Sequence, residues 1–339
     1  MHNRKKESAM DLQEPFLPPP GLKGPHIQSL LASARFRAAG AHPVFDNARE
    51  MILETNQGVR LQGFYSPRPQ QDAKGLLLLL HGWEGSANST YVMTSAKYFF
   101  DKQYEIFRLN LRDHGDTQHL NKGLFFGTLF DEVFDAAKQA AKLDGERPFF
   151  VAGFSLGGNY ALRIARELCR RSIPQLCHVV AVSPVLDPGR ATDVVDKTVL
   201  YKNYFLRKWK RSLLRKQELY PEMYDFSGML SHNTILGLTA ALLPRCSPFV
   251  TPQEYFQTYT LTNDALKSIA APTTIITSRD DPIIPVEDFY GLDLNHLTEL
   301  IVHSYGGHNG FIRNYRLNVW YEGAMEAIFR QYTSKAGFV

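Results

Sequence analysis

A serine between two glycines is the residue of this chain best placed to act as a nucleophile. Positions 153–157 read Gly-Phe-Ser-Leu-Gly, with the serine at Ser155. An apolar run precedes the motif and an apolar pattern at helical spacing follows it, so Ser155 is expected at a sharp strand-to-helix turn. Such a turn exposes the hydroxyl and requires small residues two positions away on each side, which Gly153 and Gly157 supply. The alternative is a glycine-rich turn that only packs tightly.

A serine nucleophile needs a base, and the base needs an orienting carboxylate. His308 lies among glycines after the last expected strand, and Asp281 follows the strand before it. Nucleophile, acid and base follow this order along the chain in the α/β-hydrolase fold. We predict that His308 takes the serine proton and that Asp281 orients the imidazole. Asp280 is the alternative acid, but Asp281 is followed directly by proline and two apolar residues, as is usual for the acid of this fold.

Two backbone N–H groups are expected to stabilise the oxyanion. One belongs to Leu156, at the start of the helix after the serine, and the other to Trp83, in the loop after a run of leucines. His81 in that loop is interpreted as a buried structural group, because no carboxylate is placed in the sequence to orient it. Asp113 and His114 form an alternative acid and base, but they precede the serine.

The elements that position these residues alternate between strands and helices. This alternation predicts an α/β fold with a doubly wound, mostly parallel sheet, opened by an antiparallel hairpin. The run of leucines is apolar at every position, which indicates a strand buried on both faces. Predicted strands are 51–54, 59–65, 75–80, 104–109, 148–154, 178–182, 273–277 and 300–303, and predicted helices are 26–34, 90–102, 129–142, 156–168 and 311–332.

The spacing of these elements suggests three parts. Residues 1–47 are expected to form a tail and a surface arm, with residues 1–14 as the tail and 16–25 extended. Residues 48–184 and 272–339 form the expected α/β core. Residues 185–271 carry no strand signal between two strands, so we predict a helical cap inserted over the site.

One segment of the expected cap is both basic and aromatic. Lys197–Lys216 contains eight Lys and Arg residues, and Tyr201, Phe205, Trp209 and Leu213 recur at every fourth position. This spacing predicts an amphipathic helix with a cationic face. Three roles stay open for it: packing on the core with solvated charges, peripheral contact with an anionic membrane, or contact with RNA.

Composition limits the remaining classes. The chain has 339 residues, of which 44% are hydrophobic, a formal charge of +4 and three cysteines. The charge is too small to imply a nucleic acid partner, and sparse cysteines favour reduced thiols. No apolar stretch approaches a membrane span, so a soluble cytoplasmic protein is expected. No zinc spacing, phosphate loop or dinucleotide fingerprint is present, so neither metal nor cofactor is predicted.

Taken together, several motifs resemble the YheT-like branch of the α/β hydrolases. They are Gly-Pro-His-Ile-Gln-Ser-Leu at 24–30, His-Gly-Trp-Glu-Gly-Ser at 81–86, Asn-Leu-Arg-Asp-His-Gly at 110–115, the serine motif, Asp-Asp-Pro at 280–282 and Gly-Gly-His-Asn-Gly-Phe at 306–311. The resemblance implies a serine esterase, or lipase-like enzyme, acting on esters of short to medium acyl length or derived from lipids. It also implies the roles given above to Ser155, Asp281 and His308. Phe-Gly at 126–127 departs from the relatives, as does the 113–115 turn, which affects the expected substrate choice.

The leading hypothesis is therefore a carboxylic ester hydrolase that uses an acyl-serine intermediate and a small-molecule ester substrate. An acyltransferase that uses the same acyl-enzyme is a second hypothesis, and it requires a cap that excludes water. A hydrolase-fold protein that binds without turnover is the third. A protein that only binds has no physical need for nucleophile, acid and base together.

Overall fold

Apolar runs form the centre of the sheet in the computed structural model, which describes residues 16–69 and 73–333. The predicted tail, residues 1–14, lies outside the described residues. The strands are β1 Arg49–Glu54, β2 Arg60–Ser66, β3 Leu76–Leu80, β4 Glu105–Leu109, β5 Phe149–Phe154, β6 Leu176–Val182, β7 Thr273–Ser278 and β8 Thr298–His303.

These strands form one sheet in the order β1-β2-β4-β3-β5-β6-β7-β8. β1 and β2 form an antiparallel hairpin, β2 is antiparallel to β4, and β3 to β8 are parallel. All positions of β3 are buried, with alternate leucines in two hydrophobic clusters on opposite faces. The predicted mostly parallel α/β sheet is confirmed.

Eleven α-helices and one 3-10 turn, Arg35–Arg37, accompany the strands in the described part of the chain. The helices are α1 Pro25–Ala32, α2 Pro43–Asp46, α3 Thr90–Asp101, α4 Phe130–Ala140, α5 Leu156–Glu167, α6 Pro188–Lys197, α7 Val199–Leu219, α8 Ile235–Cys246, α9 Pro252–Gln257, α10 Glu287–Tyr290 and α11 Trp320–Thr333. No helix within residues 16–69 and 73–333 has both the length and the apolar content needed to cross a bilayer.

Helices cover both faces of the sheet. α3 packs on β3 and β4 and against α11, whereas α5 packs on β3, β5 and β6 and against α4. Because β5, β7 and β8 run in the same direction, the loops after their carboxyl ends lie at one edge of the sheet. Ligands of parallel sheets bind at that edge.

Four helices, α6 to α9, lie between β6 and β7, and residues 185–271 contain no strand. Side chains cap the first N–H groups of three of them. Asp187 accepts a hydrogen bond from Arg190 N in α6, Thr234 caps α8, and Thr251 forms a reciprocal capping box with Glu254 in α9. These caps define where each helix begins.

Two expectations are corrected at the chain ends. The closing helix was predicted from Phe311, but it begins at Trp320. Residues 311–319 form a loop closed by a bridge between Ile312 and Val319, and Phe311 has a φ of 47°, which an α-helix does not allow. The arm does not lie wholly on the surface, because Phe16 is buried against Trp320.

Candidate active site

Ser155 lies between β5 and α5 in a strained backbone conformation, with φ 55° and ψ −116°. A Cβ on Gly153 would lie 2.0 Å from the Gly157 carbonyl oxygen, and one on Gly157 would lie 2.2 Å from the Leu80 carbonyl oxygen. Neither position admits a side chain, so strand and helix cross as closely as the motif predicts. The turn leaves the Ser155 hydroxyl at the edge of the sheet.

Asp281 and His308 meet across the loops that follow β7 and β8. His308 Nδ1 lies 2.9 Å from Asp281 Oδ2, and the Asp281 side chain is fully buried. Asp281 Oδ1 accepts hydrogen bonds from the N–H groups of Ile283 and Ile284, at 2.8 and 3.0 Å. A carboxylate held by two amides can accept the Nδ1 proton, which leaves Nε2 of His308 as the basic nitrogen.

Ser155 and His308 line the same cavity. The described residues include no hydrogen-bond partner for the Ser155 hydroxyl. Such bonds are often long without substrate and shorten when it binds. The structure thus joins Asp281 to His308 and places Ser155 at their cavity, without a serine–histidine bond.

The two N–H groups predicted for the oxyanion are both available. Leu156 is the first residue of α5, so its N–H has no acceptor within the helix. The Trp83 N–H has no acceptor among the described residues. A Cβ on Gly82 would lie 3.1 Å from the Ser155 Cβ, which places this loop directly beside the serine. The Gly82 N–H donates to the buried Tyr91 hydroxyl, 3.0 Å away.

The other acids and bases near the site make structural contacts. Oδ1 of Asp280, the alternative acid, accepts a hydrogen bond from Gly307 N at 2.9 Å. His81 is fully buried, its Nδ1 lies 2.7 Å from the Gly82 carbonyl oxygen, and its Nε2 accepts from Leu111 N. Neither side chain is free to act on a substrate.

Asp113 and His114 are occupied in the same way. Asp113 Oδ1 lies 2.6 Å from Nζ of Lys216, whose side chain is completely buried. His114 Nε2 accepts from Glu84 N, and its Nδ1 lies 2.7 Å from the Arg112 carbonyl oxygen. Burial lowers the pKa of His114 to about 4. This pair holds loops and helices together and offers no free ring nitrogen.

Sequence reasoning missed the contacts that α1 makes with the His308 loop. Ser29 Oγ accepts a hydrogen bond from the His308 N–H at 2.8 Å. Gln28 Oε1 accepts from Ile312 N at 2.7 Å, and a Cβ on Gly307 would lie 2.5 Å from the Pro25 carbonyl oxygen. The only signal was that the arm motif and the Gly-Gly-His motif occur together in the YheT-like pattern.

α7 contacts the loop that contains Trp83. The Trp83 ring stacks on Phe205, with centroids 5.3 Å apart, and meets Trp209 edge to face. Lys208 Nζ donates to the Glu84 carbonyl oxygen. Packing on the core with solvated charges was one of the three roles left open for this helix, and Lys216 departs from it because its side chain is buried. Membrane contact through this helix stays a proposal.

Two cavities include Ser155. One has a volume of about 120 Å³ and is lined mainly by apolar and aromatic side chains, among them Trp83, Phe126, Leu242, Tyr255 and Ile284. The other, about 590 Å³, is lined largely by polar and charged groups and includes His308. We call them the apolar chamber and the polar chamber. Within the described residues, no group of three or more His, Cys, Asp or Glu is placed to hold a metal ion.

Known proteins resemble this chain in sequence. A family model described as the alpha/beta hydrolase family matches residues 77–317. A protein of Synechocystis sp. named as a candidate esterase is 26% identical over 288 residues, covering 78% of this chain and 77% of the relative. YheT of Escherichia coli, also named as a candidate esterase, is 24% identical over 311 residues, covering 88% of this chain and 87% of YheT.

Solved structures share the fold. The Pyrococcus furiosus esterase Pf2001 superposes with a TM-score of 0.53 at 16% identity, over 86% of this chain and 96% of that chain. The 2,6-dihydroxy-pseudo-oxynicotine hydrolase gives 0.57 at 18% identity, over 86% and 70% of the two chains.

Proposed function

The chain belongs to the alpha/beta hydrolase family, and from this premise we propose that it hydrolyses carboxylic esters through an acyl-serine intermediate on Ser155. The match to YheT confirms the resemblance predicted from the motifs. The proposal rests mainly on the hydrogen bond between His308 Nδ1 and Asp281 Oδ2, 2.9 Å long, at the cavity that Ser155 lines. This arrangement supports a base that Asp281 holds at the cavity of the nucleophile.

In the proposed reaction, His308 Nε2 accepts the hydroxyl proton as Ser155 Oγ attacks the ester carbonyl carbon. The N–H groups of Trp83 and Leu156 stabilise the oxyanion, and losing one such donor costs roughly 3 to 4 kcal/mol of barrier. His308 then gives the proton to the leaving alcohol as the C–O bond breaks. Water, deprotonated by the same nitrogen, releases the acid and restores Ser155.

The volume of the apolar chamber is an argument for an acyl chain of short to medium length. An apolar cavity of roughly 150 Å³ binds one benzene molecule, so a chamber of about 120 Å³ suits a chain on the order of six carbons. Helices α6, α8 and α9 contribute Ala191, Leu242 and Tyr255 to its wall. We therefore propose that residues 185–271 act as a cap that forms the acyl site.

The test is a panel of p-nitrophenyl esters from two to twelve carbons. We expect turnover to peak near four to eight carbons, and Ser155→Ala to abolish both turnover and labelling by a fluorophosphonate. Ser33→Ala is the matched control, because Ser33 is exposed, lines the polar chamber and makes no side-chain hydrogen bond among the described residues. Turnover retained in Ser155→Ala would contradict the proposal. Labelling without ester turnover would favour acyl transfer.

A further inference from the structure

The polar chamber carries cationic side chains on two sides. Lys208, Arg211 and Arg215 line it from α7, and their spacing of three and four residues puts them on one face of that helix. Arg35 lines it from the 3-10 turn after α1. Three of the cations that suggested a membrane-facing surface therefore face the cavity that contains Ser155.

The carboxylates of the chamber do not balance these charges. Asp113 is already paired with the buried Lys216. Burial is the largest influence on Glu84 and raises its pKa to about 8, while the charges of Lys208 and Arg211 act in the opposite direction. Asp116, exposed at the rim, is the remaining acid of the lining.

The cationic side chains of the polar chamber differ in how many ion pairs and hydrogen bonds they already form within the protein. Arg215 pairs with Glu218 at 3.0 Å. Lys208 Nζ donates to the Glu84 carbonyl oxygen and to the Tyr204 hydroxyl, so two of its three donors are used. Arg35 and Arg211 form no ion pair within residues 16–69 and 73–333, although the charge of Arg211 is close enough to Glu84 to lower the pKa of that carboxyl group. These two guanidinium groups are available to an anion.

We infer that the polar chamber binds a phosphate group on the alcohol side of the ester, so that the substrate is an acyl ester of a phosphorylated alcohol. This inference rests on the proposed function. The two chambers share Ser155, so an acyl chain in one places the leaving alcohol in the other. A guanidinium group can form two parallel hydrogen bonds to two phosphate oxygens. A phosphate dianion also neutralises several cations better than a singly charged carboxylate does.

A matched pair of substrates tests the inference. 1-Hexanoylglycerol and 1-hexanoylglycerol 3-phosphate differ only in the phosphate, so the ratio of their kcat/KM values isolates the anion. We expect the wild-type protein to prefer the phosphate ester by on the order of tenfold or more. The double variant Arg35→Gln/Arg211→Gln should bring the ratio close to one, and added salt should lower it in the wild type.

The control variant also removes two positive charges, but from positions of α7 outside the chambers. Arg207 and Lys210 do not line either chamber, so Arg207→Gln/Lys210→Gln should keep the wild-type ratio. A ratio near one in the wild type, with Ser155-dependent turnover of both esters, would overturn the phosphate site and leave the hydrolase intact. An equal fall in both double variants would also overturn it, because general charge would then explain the preference.

A binding measurement separates the source of the anion. Hexyl phosphate should slow fluorophosphonate labelling of Ser155 at lower concentration than hexanol or inorganic phosphate does. If inorganic phosphate slows the labelling as well as hexyl phosphate does, the cations bind a free anion, and the substrate inference is overturned. If neither turnover nor labelling occurs, the proposed function itself fails, and the inference fails with it.

Discussion

Two adjacent carboxylates after β7 have separate contacts, and these contacts separate their roles. Asp281 forms a hydrogen bond with the His308 ring, whereas Asp280 accepts a hydrogen bond from the backbone N–H of Gly307. Burial is the largest influence on Asp280 and raises its pKa, which fits a structural group in a tight loop. The sequence favoured Asp281 only through the proline and the two apolar residues that follow it.

Asp281→Asn should therefore lower kcat by about 10³ to 10⁴, because an amide cannot hold the Nδ1–H tautomer of His308. Asp280→Asn keeps an oxygen that can accept from Gly307 N and should cost far less. Both variants are measured on p-nitrophenyl hexanoate, with circular dichroism to check folding. A larger loss in Asp280→Asn than in Asp281→Asn would exchange the two roles.

Residue types and chain order were enough to predict that Asp281 and His308 lie together, because the loops after parallel strands meet at one edge. They were not enough to find Ser29. Its contact with His308 joins residues 279 positions apart, and nothing in its local sequence distinguishes it from a surface serine. Long-range polar contacts of this kind depend on how the arm docks.

At the scale of elements, α1 holds the loop that contains His308. The His308 loop contains Gly306 and Gly307 at φ values of 159° and 54°, so its backbone is intrinsically adaptable. Ser29 restrains it by accepting the His308 N–H, and Gln28 restrains the next turn through Ile312. Positioning of the imidazole should therefore depend on a helix outside the central sheet.

Ser29→Ala should lower kcat about tenfold and change KM little, since the half-buried His308 N–H loses its acceptor at a cost of about 1 kcal/mol. Steady-state kinetics on p-nitrophenyl hexanoate measure both parameters. Ser29→Thr, which keeps the hydroxyl, should recover part of the rate, and Ser33→Ala should behave as wild type. An unchanged kcat in Ser29→Ala would show that the loop holds its own geometry.

α7 is held to the core by a buried cation. Lys216 Nζ donates to Asp113 Oδ1 and to the carbonyl oxygens of Gln118 and Asn121, at 2.6, 3.1 and 2.6 Å. A lone buried charge is costly, so each partner of this pair needs the other. The pattern of every fourth residue predicted the helix but not this contact, because a lysine within a basic run looks solvated.

Lys216→Met should lower the free energy of unfolding by about 3 to 5 kcal/mol, because it leaves the buried Asp113 carboxylate without its cation. Urea unfolding measures the loss. Adding Asp113→Asn to Lys216→Met should recover part of it, since the unpaired charge is then removed. The matched control, Lys210→Met on the same helix, should stay within about 0.5 kcal/mol of wild type. A small loss in Lys216→Met would contradict the buried pair.

Over the whole molecule, the centre of the sheet could be predicted because β3 and β5 are apolar at every position. β3 and β5 are buried at all of their residues, and no amphipathic helix has that pattern. The closing helix was predicted too early because residues 311–319 are mixed in polarity and resemble a first helical turn. The backbone at Phe311 and Leu317 takes positive φ values, which side-chain patterns do not reveal.

The whole molecule also contains two sets of buried titratable groups with opposite effects on stability. Burial, as the largest cause, raises the pKa of three carboxyl groups to about 7: Glu132, Asp144 and Glu322. Burial lowers the pKa of three histidines to about 4: His114, His178 and His303. Between about pH 4.5 and 6.5 the folded acids retain protons that the unfolded chain has lost, whereas the folded histidines exclude protons that the unfolded chain binds. The two effects oppose each other in that range.

Above about pH 7 the histidines are mostly neutral in both states, because the ordinary histidine pKa is about 6.5, so the acids contribute most of the slope. The folded chain still binds more protons than the unfolded chain, and stability should fall as pH rises through about 7. We expect the urea midpoint to decrease from about pH 7 to 8, measured at constant ionic strength. Glu322→Gln, which is uncharged at every pH, should make this decrease shallower. A midpoint that rises over the same interval would mean that these carboxyl groups are ionised in the folded protein, held by partners such as the Arg112 guanidinium that contacts Glu132.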